Sequence, residues 1–404
     1  MNRRATVGII IGLCVALSHA MASAADPADW SAVESAAKGQ TVYWHAWGGD
    51  PNVNAYKSWV GDQVKARFGV TLEHVKLADT ADAVNRVAAE KAAGNNANGA
   101  VDLIWINGEN FASMKRNSLL FGPWAEKLPN FALTGPDTNP SVREDFTVPT
   151  EGYESPYGAA QLVFMYDSAT VAAPPRTLRG ISNWAAANPG RFTYAAPPDF
   201  LGATFLKQAL LEIVKDRTPL YAAVDAAEFD AMSEPLWAYL DALHPHLWRR
   251  GRTFAQTGVA LRTLLGDGEI DIAYTFDPGA AAAGVSNGRL PPSTRSYVLD
   301  GGSIGNANFV AIPFNASAKE GAMVVANFLL SVEAQARKAD PAYWGGATVL
   351  DMKVLSDSER AMFDALDLGE ASLKPSELGP ILPEPHPSWM VALEAEWLKR
   401  YGAQ

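Results

Sequence analysis

The sequence predicts an α/β protein of two lobes, each built around a mainly parallel sheet with helices on its faces. Two observations support this prediction. Strand and helix patterns alternate through the first hundred residues and again through the middle of the chain. The length of 404 residues also exceeds what one hydrophobic core usually supports, so we expect two cores.

The first strand and helix are the best-marked elements. Residues 41–47, TVYWHAW, have the composition of a buried strand. Asp50 is a suitable helix N-cap and Pro51 fits the first helical position. Gly69 is expected to end that helix. The alternation continues with a strand, a helix and a strand, which the pattern places at residues 70–77, 80–93 and 101–106.

This β-α-β-α-β order predicts parallel strands joined by right-handed crossovers. In open sheets of that kind, ligands bind beyond the carboxyl ends of the strands. The same alternation returns later in the chain. Further strands are predicted at residues 158–166, 191–196, 269–275 and 308–313. Further helices are predicted at residues 183–189, 201–215, 225–243, 257–265, 319–336 and 388–401, with an alanine-rich helix after Pro278.

The N-terminus has the composition of a secretory signal. Arg3 and Arg4 precede an apolar run over residues 7–17, and Ala-Ser-Ala follows at residues 22–24. This pattern predicts a signal peptide cleaved after residue 24, because the apolar run is too short for a stable membrane span. Cys14 is the only cysteine, so we expect an exported protein that relies on its core rather than on disulfides.

The charge balance is acidic. The net charge is −11, and the chain from residue 25 onward would carry 31 basic against 44 acidic residues, a net charge of −13. This balance argues against a nucleic-acid or anionic-membrane surface. It is compatible with a cationic or neutral ligand and also with a simple need for solubility.

Four stretches together resemble a known family: VYWHAWGG, VDLIWINGENF, PYGAAQLVFMYD and NFLLSVEAQ. In an exported chain they are similar to the substrate-binding proteins of ABC importers. Within that superfamily they resemble the YnjB-type proteins, and more distantly the thiamine, iron and spermidine/putrescine binders. The resemblance covers nearly the whole chain after the signal.

The resemblance implies the type II periplasmic binding protein fold, in which crossing strands join two lobes around a ligand cleft. We expect the signal at residues 1–24, the first lobe at 25–160 plus 306–370, the second lobe at 161–305, and a C-terminal segment at 371–404 that packs on the lobes. The implied role is transport: a monomer in the periplasm that binds a small-molecule ligand and docks on permease and ATPase subunits of the inner membrane. No cofactor and no nucleic-acid partner are expected.

The first candidate ligand contacts surround the turn after residue 47. Trp44 and Trp47 offer aromatic faces that can stack on flat, cationic or sugar ligands. Gly48 and Gly49 would allow a ligand to approach the backbone. The competing interpretation is that these tryptophans belong to the core.

Polar groups at other strand ends extend the predicted site. Asn107, Glu109 and Asn110 could anchor an amine or a hydroxyl, although Asn107 also suits a helix N-cap. Tyr157 and Gln161 lie on the crossing strand, and a buried Gln needs either the ligand or the backbone as its partner.

The second lobe and the hinge contribute the remaining candidates. Tyr274 and Asp277 mark a strand end, where Asp277 could clamp a cation or cap the next helix. Trp344 precedes two glycines and echoes the Trp47 turn, so it is either a second aromatic wall or core.

Enzyme and metal patterns are weak. The close pair His244 and His246 is interrupted by Pro245, and we expect no metal site. The sequence has no nucleophile-elbow, zinc-protease or P-loop motif. An exported carbohydrate hydrolase using Glu109 and Asp277 as paired carboxylates remains the alternative. The sequence cannot separate an importer subunit from a ligand-sensing subunit of a receptor.

Overall fold

The computed structural model describes residues 24–402. The predicted signal peptide therefore lies outside the described residues, apart from Ala24. The strands are β1 (Thr41–Trp47), β2 (Thr71–Leu77), β3 (Leu103–Ile106), β4 (Glu144–Asp145), β5 (Val148–Pro149), β6 (Glu154–Gln161), β7 (Val163–Asp167), β8 (Ile272–Thr275), β9 (Thr294–Tyr297), β10 (Ser303–Ala311) and β11 (Ile381–Leu382). The helices are α1 (Trp30–Ala37), α2 (Pro51–Phe68), α3 (Ala81–Ala92), α4 (Gly108–Arg116), α5 (Leu178–Ala187), α6 (Phe200–Ile213), α7 (Ala226–Leu243), α8 (Gly258–Gly266), α9 (Ala280–Ser286), α10 (Lys319–Leu329), α11 (Val332–Ala339), α12 (Asp357–Asp364) and α13 (Pro387–Tyr401).

Helix α2 shows how local sequence sets an element. The Asp50 side chain accepts a hydrogen bond from the amide of Asn52, and Pro51 occupies the first turn, where no amide donor is needed. Gly69 ends the helix with φ of 73°, a left-handed conformation that glycine adopts without steric cost. The predicted start and end of this helix are confirmed.

The larger sheet forms the first lobe. Strand β1 lies between β2 and β3 and pairs in parallel with both. Strand β10 pairs antiparallel with β3 and β6 and parallel with the short β11. The carboxyl ends of β1 and β3 therefore lie at one edge, where the Trp47 turn and the Asn107 turn begin.

The second lobe has a smaller sheet of three strands, in the order β8-β7-β9. The two-lobed α/β fold class is confirmed, but the pairing in this lobe differs from the prediction, because β7 pairs antiparallel with both β8 and β9. Parallel pairing appears here only as isolated bridges, and predicted strand 191–196 is reduced to two of them, at Phe192 and Ala195. The prediction was wrong because a helix between two strands shows only that their connection is long. A long connection allows the strands to pair either parallel or antiparallel.

Two predicted elements are each broken in two. The predicted strand 158–166 is interrupted at Leu162, so that β6 joins the first sheet and β7 the second. The predicted helix 319–336 is interrupted before Ser331, whose hydroxyl caps α11 by accepting a hydrogen bond from Ala334. The first break follows Gln161 within an otherwise apolar stretch, and the second lies at Ser331, where an apolar stretch ends. Hydrophobic periodicity marked neither break.

Two hydrophobic cores correspond to the two lobes. The first core draws on residues 33–157 and 307–355, and the second on residues 160–304 and 371–401. The C-terminal helix α13 thus packs in the second core. The division into domains stays a prediction. Within residues 24–402, no helix is both long and apolar enough to cross a membrane.

Candidate functional site

A cleft of about 410 Å³ lies between the two lobes. Trp47, Asp50 and Trp344 line it from the first lobe. Arg262 of α8, Asp277 and the helix α9 line it from the second lobe. The structure therefore brings three of the predicted site residues, Trp47, Asp277 and Trp344, to one gap.

The Trp47 turn is held by side chains of α2. The carbonyl of Trp47 accepts a hydrogen bond from Lys57 Nζ, and the carbonyl of Gly48 accepts one from Asn54 Nδ2 at 2.9 Å. A Cβ atom added at Gly49 would lie 2.5 Å from the Trp47 ring, so the glycine allows the indole to fold over its own turn. Gly49 thus makes room for the ring, whereas a Cβ atom at Gly48 would lie 2.6 Å from Cβ of Lys76. That the two glycines admit a ligand to the backbone stays a prediction.

Asp277 presents a carboxylate without a partner to the cleft. Among residues 24–402 it forms no side-chain ion pair within 4 Å, and the helix α9 is capped by Gly279, so the alternative capping role of Asp277 is wrong. Burial raises the pKa of Asp277, while the charge of Lys338 acts to lower it. The indole N–H of Trp344 also faces the carboxylate and lowers its pKa, without meeting hydrogen-bond geometry.

Lys338 has a larger electrostatic effect on this carboxylate than Arg262 has, and it is fully buried. Its Nζ donates to the carbonyl of Ala347 at 2.7 Å and lies 4.9 Å from the centre of the Trp344 ring. Burial lowers the pKa of Lys338 to about 7. Near neutral pH the lysine is therefore only partly charged, and Asp277 lacks a full counter-charge.

Two arginines of the second lobe reach Asp50 of the first lobe beside the cleft. Arg262 Nη2 lies 3.0 Å from Asp50 Oδ2, and Arg289 Nη1 lies 3.7 Å from the same oxygen. Arg289 also donates to the Asn52 side chain at 3.1 Å. Since the arginines belong to the second lobe and their acceptors to the first, these contacts connect the two lobes beside the cleft.

Trp44 and Tyr157 are fully buried in the first core. Their rings meet edge-on with centroids 6.0 Å apart, and Trp105 packs against Tyr157 at 5.4 Å. Neither the Trp44 indole N–H nor the Tyr157 hydroxyl has a hydrogen-bond partner in the described part of the chain. The interpretation of Trp44 as a core residue is therefore the better one, and Tyr157 belongs to the same core.

Gln161 and Tyr274 find their partners within the protein. Gln161 Nε2 donates to the carbonyl of Leu378 at 2.8 Å, so the backbone takes the position considered for the ligand. Tyr274 is fully buried in the second core, where its hydroxyl accepts from the Ala195 amide and donates to the Leu201 carbonyl. Neither side chain lines the cleft.

The turn after β3, which carries Asn107, Glu109 and Asn110, does not line the cleft that Trp47 and Asp277 line. Asn107 occupies the N-cap position of α4, but its side chain donates to the Ala307 carbonyl at 2.7 Å instead of capping. Asn110 donates to Glu109 at 2.6 Å. Burial raises the pKa of Glu109 to about 7, and the charged groups around it are Lys207, Asp79 and Glu384.

Asp277 lines the cleft and Glu109 does not, and the charges that most affect the pKa of Glu109 differ from those that most affect the pKa of Asp277. Asp277 is influenced by Lys338, Arg262 and Asp50. The paired-carboxylate arrangement that would suit a glycoside hydrolase is not formed by these two residues.

Sequence reasoning missed the cations of the cleft. Arg262 and Arg289 lie in the second lobe, and Lys338 lies in α11 of the first. Arg262 is the one cationic residue within the predicted helix 257–265, which was a weak signal. Nothing local distinguishes Lys338 from an exposed lysine, since its burial depends on Tyr157 and Trp344.

Comparison with known proteins places these features in a family. The model of the bacterial extracellular solute-binding protein family matches residues 59–351. The chain is 46% identical over 391 residues to the protein YnjB of Escherichia coli (strain K12), covering 97% of this chain and 98% of that protein.

Solved structures show the same fold. The periplasmic binding protein AfuA from Actinobacillus pleuropneumoniae, with exogenous fructose-6-phosphate bound, matches with a TM-score of 0.64 at 12% identity, covering 90% of this chain and 99% of that one. A putative spermidine/putrescine ABC transporter from Listeria monocytogenes matches with a TM-score of 0.63 at 17% identity, covering 90% and 98%. The two-lobed chain therefore belongs to the bacterial extracellular solute-binding proteins, the family that serves as substrate-binding components of ABC transporters.

Proposed function

We propose that this protein captures a cationic or heteroaromatic small molecule in the cleft between its lobes and delivers it to an ABC importer. Its partners would be the permease and ATPase subunits of the inner membrane. The protein would act in the periplasm as a monomer, because one closing cleft needs no second copy.

The observation that supports this ligand class is the chemistry of the cleft around Asp277. Trp47 and Trp344 line the cleft together with Asp277, whose carboxylate has no ion-pair partner within 4 Å in the described residues. A cation between aromatic faces and beside a carboxylate gains from the ring quadrupole and from Coulomb attraction. The partly charged Lys338 leaves that attraction available to a ligand.

The likeness to solved structures bears on the transport role and leaves the ligand open. One neighbour is described as a spermidine/putrescine transporter protein, and another holds fructose-6-phosphate. Both likenesses are below 25% identity, so the ligand class proposed here rests on the residues of this cleft.

A thermal-shift screen tests the proposal. The probes are thiamine and related heteroaromatic cations, spermidine and putrescine, neutral sugars, and fructose-6-phosphate. A ligand at one hundred times its Kd stabilises the folded state by about 2.7 kcal/mol, which gives a readily measured rise in melting temperature. We expect a hit among the cations.

Two variants then locate the site. Asp277→Asn removes the carboxylate charge and should weaken binding of the cation at least about tenfold, as about 1.4 kcal/mol of lost charge interaction would do. Trp47→Ala should abolish the shift while the unliganded protein stays folded. Asp267→Asn, at an exposed position on the same cleft, is the matched control and should bind as the wild type does. Equal affinity of Asp277→Asn and wild type would exclude the cation anchor, and a hit confined to neutral sugars would exclude the ligand class.

A further inference from the structure

The C-terminal helix reaches from the second lobe onto the first. Trp389, Leu393 and Trp397 of α13 are buried in the second core. On another face of the same helix, Met390 packs with Phe146 of the first lobe and with Ala203 of α6. Any rotation of one lobe against the other must therefore change the packing between α13 and the first lobe.

Phe146 reaches this interface because α4 begins with a glycine. Gly108 has φ of 58°, and a Cβ atom there would lie 2.8 Å from the Phe146 ring. The opposite side of the ring faces α6, with Lys207 Nζ 4.4 Å from its centre. We call this contact zone the seam; it comprises Glu109, Phe146, Lys207, Glu384, Met390 and Glu394.

Lys207 is the one cationic residue of the seam, which contains three glutamates. Lys207 Nζ lies 2.6 Å from Glu384 Oε2, and both side chains are buried. Asn306 donates to the other oxygen of Glu384 at 2.9 Å. Since Glu384 takes the charge of Lys207, neither Glu109 nor Glu394 has an ion-pair partner of its own within the described chain, and one oxygen of Glu394 is buried without a hydrogen bond.

The charges that face these two carboxyl groups are mostly negative. Glu109 of α4 faces Lys207 of α6, Asp79 before α3, and Glu384. Glu394 of α13 faces Glu109, Lys207 and Asp79. Asp145 also lies near Glu109 and binds the amide of Gly108 at 2.7 Å. Both carboxyl groups thus sit between the lobes with insufficient positive charge to keep them ionised.

We propose that closure of the lobes takes up protons at the seam: Glu109 and Glu394 are neutral while α4 and α13 are packed together, and they ionise when the lobes separate. The cleft therefore closes more firmly in acid and opens more readily as the pH rises. This inference concerns the motion of the lobes, and its readout needs no ligand, so it can fail while the proposed ligand class stands.

The direction follows from the two states of each carboxyl group. Burial raises the pKa of Glu109 to about 7 and that of Glu394 to about 8 in the packed seam. In water an ordinary Glu has a pKa near 4.5. Below that value both states are protonated and closure carries no penalty, whereas the penalty grows as the pH rises to about 7 to 8.

Small-angle X-ray scattering of the exported, unliganded protein at pH 5 and pH 8.5 tests the proposal. The radius of gyration should be larger at pH 8.5, and the closed-to-open ratio should fall by at least about tenfold. Glu109→Gln and Glu394→Gln mimic the neutral forms, so each should reduce this change. Circular dichroism establishes that each variant is folded, and two variants allow the test to proceed if one of them is not.

Glu396→Gln is the matched control on the same helix. Glu396 is paired with Lys399 and Arg400 on the outer side of α13, away from the seam. Its variant should keep the pH response of the wild type. Identical scattering of the wild type at the two pH values would overturn the proposal, and so would a full response in a folded Gln variant of either seam carboxyl.

Discussion

Replacing Lys57 by Met should make the protein more stable at pH 6, because this lysine is buried without an acidic partner. Lys57 is 1% exposed, and its Nζ donates to the carbonyl of Trp47. It lies 5.6 Å from the centre of the Trp44 ring and 4.9 Å from that of Trp105. Burial, with a smaller contribution from Lys76, lowers the pKa of Lys57 to about 7.

The size of the effect follows from that pKa. The difference between 10.5 in the unfolded chain and about 7 in the folded one corresponds to about 5 kcal/mol, at about 1.4 kcal/mol per pKa unit. A lysine with a lowered pKa destabilises the fold fully below the folded value, and the destabilisation disappears as the pH rises towards the unfolded value. At pH 9 about 2 kcal/mol of it should remain.

Interactions that methionine cannot replace reduce the gain. The lost hydrogen bond to Trp47 costs about 1 kcal/mol and the lost cation–ring contacts about 1 to 2 kcal/mol. The net expectation for Lys57→Met is a free energy of unfolding about 2 kcal/mol higher than wild type at pH 6. At pH 9 the folded-state lysine is largely neutral and has no cation–ring contact to lose, so the gain should be about 1 kcal/mol.

Urea unfolding at pH 6 and pH 9 measures both values. Lys127→Met is the matched control, because Lys127 is exposed and forms no ion pair in the described residues, so its variant should equal wild type at both pH values. A Lys57→Met protein that is less stable than wild type at pH 6 would refute the reasoning. A difference that does not shrink between pH 6 and pH 9 would show that charge burial is not its cause.

Two further substitutions test the packing that positions the site. Gly279→Ala should lower the free energy of unfolding, measured in urea, by about 1 to 3 kcal/mol, because the added Cβ would lie 2.4 Å from the Gly345 carbonyl oxygen across the lobes. Gly301→Ala is the control and should be neutral, because nothing lies within 4 Å of a Cβ added there. Equal stability of the two variants would contradict this expectation. Leu393→Ala, in the fully buried face of α13, should cost about 2 to 5 kcal/mol, against less than about 0.5 kcal/mol for Leu398→Ala on its exposed face. A similar loss in both leucine variants would show that α13 is not anchored as described.

The sequence was informative where local chemistry sets the structure. Asp50, Pro51 and Gly69 marked the ends of α2, and the turns after the strands correctly pointed to one edge of the first sheet. That reasoning brought Trp47 to the cleft, because the carboxyl end of a parallel strand fixes where its following turn must lie.

The sequence was uninformative where a residue has no local signal of its environment. Residues 158–166 are apolar except for Gln161, and nothing in this stretch marks the break at Leu162 or the change of sheet. Tyr274 and Asp277 lie three residues apart near the same strand end. Tyr274 is buried in the core, whereas Asp277 lines the cleft. A strand whose faces are both covered gives no alternation from which to tell inward from outward.

What the sequence determined by itself were the first strands, many of the longer helices, the two ends of α2 and the expectation of two cores, since backbone conformation depends largely on residues a few positions apart. Only the tertiary structure decided which polar group met which. Gln161 bonds to Leu378, Lys207 pairs with Glu384, and Asp277 is left without an ion-pair partner among the described residues. Partners so distant along the chain are chosen by how the two lobes pack, and burial then sets whether each group keeps its charge.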